Sequence, residues 1–333
     1  MDTPGFCGQA CHTPMHPQFQ AWQGSAHAGV PCVECHIGDS AAAFVHAKLS
    51  GVRQLIQVTR TSYPRPIPSG TQLPSGAQAE MCRGCHRPER VLGDHVRVIR
   101  EYADDEANTE TVTTLQMHMN ATASSVRAIH WHANRSVHIE YVATDADQQT
   151  IPYVHVTYAN GQAKEFVAKD ATEDAIRGGE RRIMECVDCH NSVGHPIAPT
   201  PEQAVDRAIA AAMVSHDLPY VRRESVRLLK ASYANQDDAV RAIDEGLRSF
   251  YRTQSASVDQ LKLNKTVNVV QDLYRRSVFP TMKVTWGTYP DNKGHITSNG
   301  CFRCHDDSHE AKDGSKISGD CEYCHKQIEQ ALD

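Results

Sequence analysis

Large apolar side chains are scarce in this chain. Among 333 residues there are 7 Phe, 3 Trp and 11 Tyr, 6% aromatic in all, and the mean hydropathy is −0.50. That is poor material for a large side-chain core, at a length that would otherwise suit two ordinary domains. Long apolar runs are lacking too. Stretches such as Ala208 to Val214 fall far short of the ~18 residues a membrane span requires, and no export signal is visible. Nor is there an excess of positive charge: 34 Lys and Arg against 40 Asp and Glu give −6, which argues against nucleic acid as a partner and leaves a weak preference for basic ones.

What the chain does have is cysteine and histidine, 12 and 19 of them. Five Cys-x-x-Cys-His boxes are present: Cys32/Cys35/His36, Cys82/Cys85/His86, Cys186/Cys189/His190, Cys301/Cys304/His305 and Cys321/Cys324/His325. A sixth, Cys7/Cys11/His12, carries three intervening residues instead of two. All cysteines are consumed. That histidine should follow the second cysteine every time has a chance probability on the order of 10⁻⁷ or less. A zinc protein would not need the adjacent histidine each time, and a disulfide scaffold would not need it at all. The box is the attachment signature of c-type haem, in which two thioethers hold the porphyrin and the imidazole ligates the iron. The expectation is six covalently bound haem c groups, whose apolar bulk replaces the missing core much as disulfides or metals staple small scaffolds.

The N-terminal residues Phe6, Cys11-His12, Met15, Pro17, Trp22, Ser25, His27 and Cys32 to His36 resemble the NapC/NirT/NrfH family of multihaem cytochromes, which carry electrons from membrane quinol to periplasmic redox partners. Later elements, Ile129-His130-Trp131-His132, the Cys186 box with His195-Pro196, and Phe279 to Pro290 leading to the Cys301 box, resemble a larger branch of that family. The resemblance implies a membrane anchor just before Asp2, and haem attachment outside the cytoplasm implies an export signal or anchor in the precursor. The chain departs from the short members in its two extra boxes, its cysteine-free stretch of 99 residues and its widened first box.

The expected fold is a multihaem cytochrome c of mixed α+β type, with little regular structure near the haems, a small antiparallel sheet insertion and a C-terminal helical segment. Its divisions are 1–105 with the first three boxes, a β-rich insertion at 106–170, the fourth box at 171–200, a helical segment at 201–278 and the last two boxes at 279–333. Apolar-polar alternation marks strands at Thr111 to Met119, Ser124 to His132, Ser136 to Thr144, Ile151 to Tyr158 and Ala163 to Ala168, with a turn at Asn160-Gly161. Ser40 to Arg60 reads as an amphipathic helix broken at Gly51, and Tyr63 to Pro74 as a proline-rich arm. Thr200-Pro201-Glu202-Gln203 is a helix start, and four helices fit between it and Val278, with breaks near Leu218-Pro219, Asn235 and Ser255 to Ser257.

Six-coordinate iron needs a second axial ligand per haem, and thirteen histidines remain outside the boxes. The chosen set is His27, His132, His195, His295 and His309, with Met15 at the first site and His95 and His130 in reserve. Met15 lies three residues beyond His12, on the same side of its haem, and as a thioether could replace that imidazole or simply pack against the ring. His130 and His132, in a strand, would share one face. His195 and His309 lie too near their own boxes to cross to the far face of the same haem, but each can cap a neighbour. His46 on a helix, His118, His138 and His155 on strand surfaces, and His216 read as structural.

Fully ligated iron favours conduction over catalysis, so the expected function is electron relay between redox partner proteins, from a quinol-oxidising membrane module towards a periplasmic or extracellular acceptor. Self-assembly through terminal haems into a filament is a second possibility. A reductase with one open haem is a third, although no Cys-x-x-Cys-Lys box marks such a site.

Overall fold

Side-chain caps begin three of the four helices between 201 and 277, and the apolar positions of all four meet in one core. The computed structural model describes residues 3–37, 41–68, 78–91, 93–253 and 258–332. In chain order the elements up to the first hairpin are α1 (His16–Gln23), α2 (Cys32–His36), α3 (Ala41–Thr59), α4 (Gln78–Arg83), β1 (Asp94–Tyr102) and β2 (Glu110–His118). Next come β3 (His138–Ala143), β4 (Tyr153–Thr157), β5 (Ala163–Ala168), α5 (Glu173–Gly178), β6 (Glu180–Ile183) and α6 (Cys186–Cys189). The helical run is α7 (Pro201–Ala210), α8 (Val221–Lys230), α9 (Gln236–Thr253) and α10 (Gln260–Ser277), followed by β7 (His309–Glu310) and β8 (His325–Leu332).

Thr200 accepts the Gln203 N–H at 3.2 Å, Asn235 accepts that of Asp238 at 2.9 Å and Asp259 that of Leu261 at 2.8 Å, so α7, α9 and α10 each start on a side-chain cap. Ala239, Ile243 and Leu247 of α9 meet Leu263, Val267, Val270 and Tyr274 of α10 and Leu228 and Leu229 of α8 in the largest core. Tyr102 of β1 enters the same core. Asn108, in the β1–β2 turn, donates to the carbonyls of His216 and Leu218 at 3.0 Å each. The hairpin is thereby docked on the helical lobe.

Two antiparallel sheets form where one was expected. β1, β2 and β8 make the first, and β6-β3-β4-β5-β7 the second. The second buries Ile139, Tyr141, Val154, Val156 and Phe166 against Trp131 and Ala311. Strand structure therefore runs from Asp94 to Ile183, wider than 106–170, and the final segment adds two strands that its loop-like composition did not announce. Ser124 to His132 is not a strand. Trp131 Nε1 donates to Ala123 O at 3.1 Å and Asn134 Nδ2 to Ala121 O at 2.7 Å, folding the segment on itself and ending it in a 3₁₀ turn, Ile129–Ala133. Helix α3 runs through Gly51 without a break; an interior glycine costs only about 1 kcal/mol. The Ser255 to Ser257 break and the part of the proline-rich arm beyond Pro68 lie outside the described residues.

Candidate functional site

In chain order, the first five cysteine boxes sit on single helical turns closed in the same way, while the sixth is a tighter turn closed by Cys324 N–H on Cys321 O at 3.2 Å before His325 enters β8. In those five the histidine N–H returns to the first cysteine's carbonyl, His86 to Cys82 at 2.8 Å, His190 to Cys186 at 2.8 Å and His305 to Cys301 at 3.0 Å. At the N-terminus the extra residue is absorbed by a π-turn, Phe6–Cys11, and His12 N–H still reaches Cys7 O at 2.8 Å. Gly8 permits this. A Cβ there would lie 2.1 Å from the Phe19 ring, so α1 presses directly on the widened turn.

Five box histidines each face one histidine from elsewhere in the chain. Ring centroids are 5.9 Å apart for His86 and His27, 6.0 Å for His36 and His195, 6.4 Å for His190 and His130, 5.8 Å for His305 and His132, and 6.1 Å for His325 and His295. With a metal–nitrogen bond of about 2 Å on each side and the ring centre about 1 Å behind the nitrogen, two imidazoles on one metal stand about 6 Å apart.

The hydrogen bonds fix which ring nitrogen is available. Nδ1 lies against a backbone carbonyl in His27 (Val193, 3.3 Å), His132 (Ile129, 2.9 Å), His195 (Gln18, 2.8 Å) and His305 (Ser318, 2.9 Å). A carbonyl only accepts, so Nδ1 carries the proton and Nε2 keeps its lone pair for a ligand. Nδ1 of His130 and of His325 is buried with no partner at all. Desolvation lowers His130, His190, His195 and His305 and brings His132 down to about 4, keeping these imidazoles in the neutral form that binds metal. These donors fit haem. A bare metal ion has no comparable seat, because no group of three or more His, Cys, Asp or Glu suited to one exists among the described residues. The eleven cysteines whose side chains are described are unbridged.

Two expectations about the facing residues change. His309 is 2% exposed, with Nε2 on Ile151 O at 2.7 Å and Nδ1 on Asp306 at 3.2 Å, so both its nitrogens are taken and it faces no box histidine. His130, held in reserve, stands opposite His190 instead. The 3₁₀ turn is the reason. It sends His130 and His132 to two different boxes around a buried Trp131, where a strand would have pointed both the same way. His12 faces no imidazole among the described residues, and Met15 sits half-buried at the end of the next turn, its N–H on His12 O at 2.8 Å. His95 lies exposed on β1, His118 bonds Asp94 at 3.0 Å and His216 reaches Asn108 O at 3.0 Å. The His46 side chain lies outside what is described.

The boxes adjoin one another in sequence order. His12 lies within electrostatic reach of His36, Cys35 of Cys85, Cys189 of Cys301 and Cys324 of Cys301, and the Cys82 and Cys186 thiols hydrogen-bond. Residues between the paired cysteines make the joints, which nothing in the motif announces. Arg83 donates to Ala133 O at 2.5 Å, tying the third box to the turn that carries His130 and His132. Asp188, 3% exposed, accepts the Tyr141 hydroxyl at 2.5 Å and the Glu185 N–H at 2.6 Å. Phe302 stacks on His295 at 4.3 Å. Behind it the loop is closed by Cys301 N–H on Gly294 O at 3.0 Å, so tightly that a Cβ at Gly300 would lie 1.5 Å from that oxygen.

Cysteine pairs with an adjoining imidazole are what a c-type cytochrome needs, a second imidazole opposite suits six-coordinate iron, and the curated relative supports that class. Over 332 residues the chain is 39% identical to the cytochrome c-type protein ImcH of Geobacter sulfurreducens, a match covering 98% of this chain and 65% of that protein. The chain thus spans just under two thirds of its relative's length. No family model matches, and no solved structure does. The mixed fold, with its small antiparallel sheets, is compatible with the class. No described helix is long and apolar enough to cross a membrane.

Proposed function

We propose that this chain is a hexahaem c-type cytochrome of the larger NapC/NirT type that relays electrons through its boxes in sequence order. They would pass from a membrane quinol-oxidising module to a periplasmic or extracellular acceptor. The supporting observation is the five opposed imidazole pairs at 5.8–6.4 Å, on boxes that adjoin one another. Haem bound at these sites supplies a one-electron couple. The polypeptide supplies what makes the couple a conductor. Imidazoles on both faces keep substrates off and change little between oxidation states, and interlocked box turns fix the spacing. The test is a mass and haem determination on the native protein with an EPR spectrum of the oxidised form. Six covalent haems and at least five low-spin signals are expected; fewer haems, or several high-spin signals, would defeat the reading.

One observation favours a second reading at the first box alone. Because His12 faces no described imidazole, that site could carry Met15 or an exchangeable ligand, as a reductase would require. A single high-spin ferric signal that shifts on adding cyanide selects the enzyme; a spectrum indifferent to cyanide selects the relay.

A further inference from the structure

Arg303 lies between Cys301 and Cys304 and is 8% exposed. Its Nε donates to Gly300 O at 2.8 Å, one terminal nitrogen to Gln148 O at 3.1 Å and the other to Asp188 O at 2.7 Å. All three acceptors are neutral carbonyls. The Asp188 carboxylate is engaged elsewhere, by the Tyr141 hydroxyl and the Glu185 N–H. Gln148 lies between Tyr141 and Arg182, its nitrogen donating to the Tyr141 oxygen and its oxygen accepting from Arg182 Nε, each at 3.0 Å. So a guanidinium is buried with its forks spent on backbone carbonyls, and the nearby Asp188 carboxylate lies within electrostatic reach of it without bonding it, an arrangement that is expensive unless something beside it rewards a positive charge.

What lies beside it are the fourth and fifth boxes. Asp188 is the residue before Cys189 and Arg303 itself sits between Cys301 and Cys304, so the bonds from its guanidinium to Asp188 O and Gly300 O hold the charge against both attachment turns. One cation therefore serves two neighbouring attachment turns and at the same time clamps them together.

We propose that Arg303 is a positioning residue and fixed charge shared by the fourth and fifth redox sites, raising the reduction potential of both so that electrons settle on this pair within the chain. Adding an electron makes a site more negative, so a buried cation within the same low-dielectric wall favours the reduced state. The inference deepens the relay reading and rests on it.

The experiment is a potentiometric titration of the holoprotein, followed by visible absorption and EPR, for wild type, Arg303→Gln and Arg303→Lys, with the haem-to-protein ratio measured on each. In R303Q two of the six components are expected at lower potential and the other four unmoved. In R303K, which keeps the charge but loses the fork, the pair should stay near its wild-type position. An unmoved pair in R303Q, a shift spread over all components, or an equal displacement in R303K would overturn the proposal. If R303Q fails to hold six haems, R303K decides, because a downward displacement of the pair with the charge retained refutes a charge effect and an undisplaced pair upholds it. A wild-type protein without covalent haem would sink the relay reading as well; a fully loaded wild type with an indifferent R303Q sinks this inference alone.

Discussion

His130 and His132 are two residues apart, yet their rings face His190 and His305, which belong to different boxes. Each should therefore be replaceable with a local result. His130→Ala is expected to convert one low-spin haem to high spin while the haem content holds, because the cysteine bonds of the fourth box are untouched. His132→Ala should do the same to a different component, and the double variant should show two high-spin signals. EPR of the three oxidised proteins checks this; a single shared signal would mean that the two imidazoles serve one site. Trp131 between them belongs to the scaffold, since its indole is buried and donates to Ala123 O.

The elements divide the labour between box turns too short to stand alone and two bodies that hold them. The helical lobe has a side-chain core of its own, centred on Ile243, Leu247, Val267 and Val270, all nearly or wholly inaccessible. Leu247→Ala should cost about 2–5 kcal/mol. The helical far-UV signal is expected to melt at lower temperature, with the visible spectrum unchanged at room temperature because none of the box or facing histidines belongs to α7–α10. An altered haem spectrum in the folded variant would show that the lobe shapes the redox sites directly. The sheets reach closer. His325 opens β8, where it pairs with Met117 of β2, so the last box is anchored by strand pairing to residues two hundred positions earlier.

Across the whole molecule the charge is −6, and haem propionates would make it more negative. Long-range attraction then favours a basic redox partner, and it is screened at ionic strengths where the Debye length falls to about 8 Å. Electron transfer to a cationic partner protein should therefore slow as salt rises from low to physiological levels, while transfer to a neutral small-molecule acceptor should not. Stopped-flow rates at several salt concentrations distinguish the two, and a salt-independent rate with the cationic partner would remove the electrostatic argument.

Much of this was legible in the residues themselves. Covalent motifs are local, so all six boxes could be read from spacing, as could the four helices, whose caps at Thr200 and Asn235 and apolar repeat lie within a few residues of one another. Which histidine faces which box was not readable. His27, His195 and His295 could be marked as candidates, but their partners are set by how distant segments cross. That His130 and not His309 would face a box histidine was hidden because alternation at Ser124 to His132 imitates a strand, whereas the indole and Asn134 hydrogen bonds curl it into a 3₁₀ turn.

The amino-acid sequence by itself determined the chemistry, since six cysteine pairs each followed by a histidine admit few other uses. Only the tertiary structure decided the arrangement: the pairing of imidazoles, the adjacency of boxes and the guanidinium held between two of them. A thioether site is specified by neighbours in the chain, but axial pairing and buried charge are specified by neighbours in space.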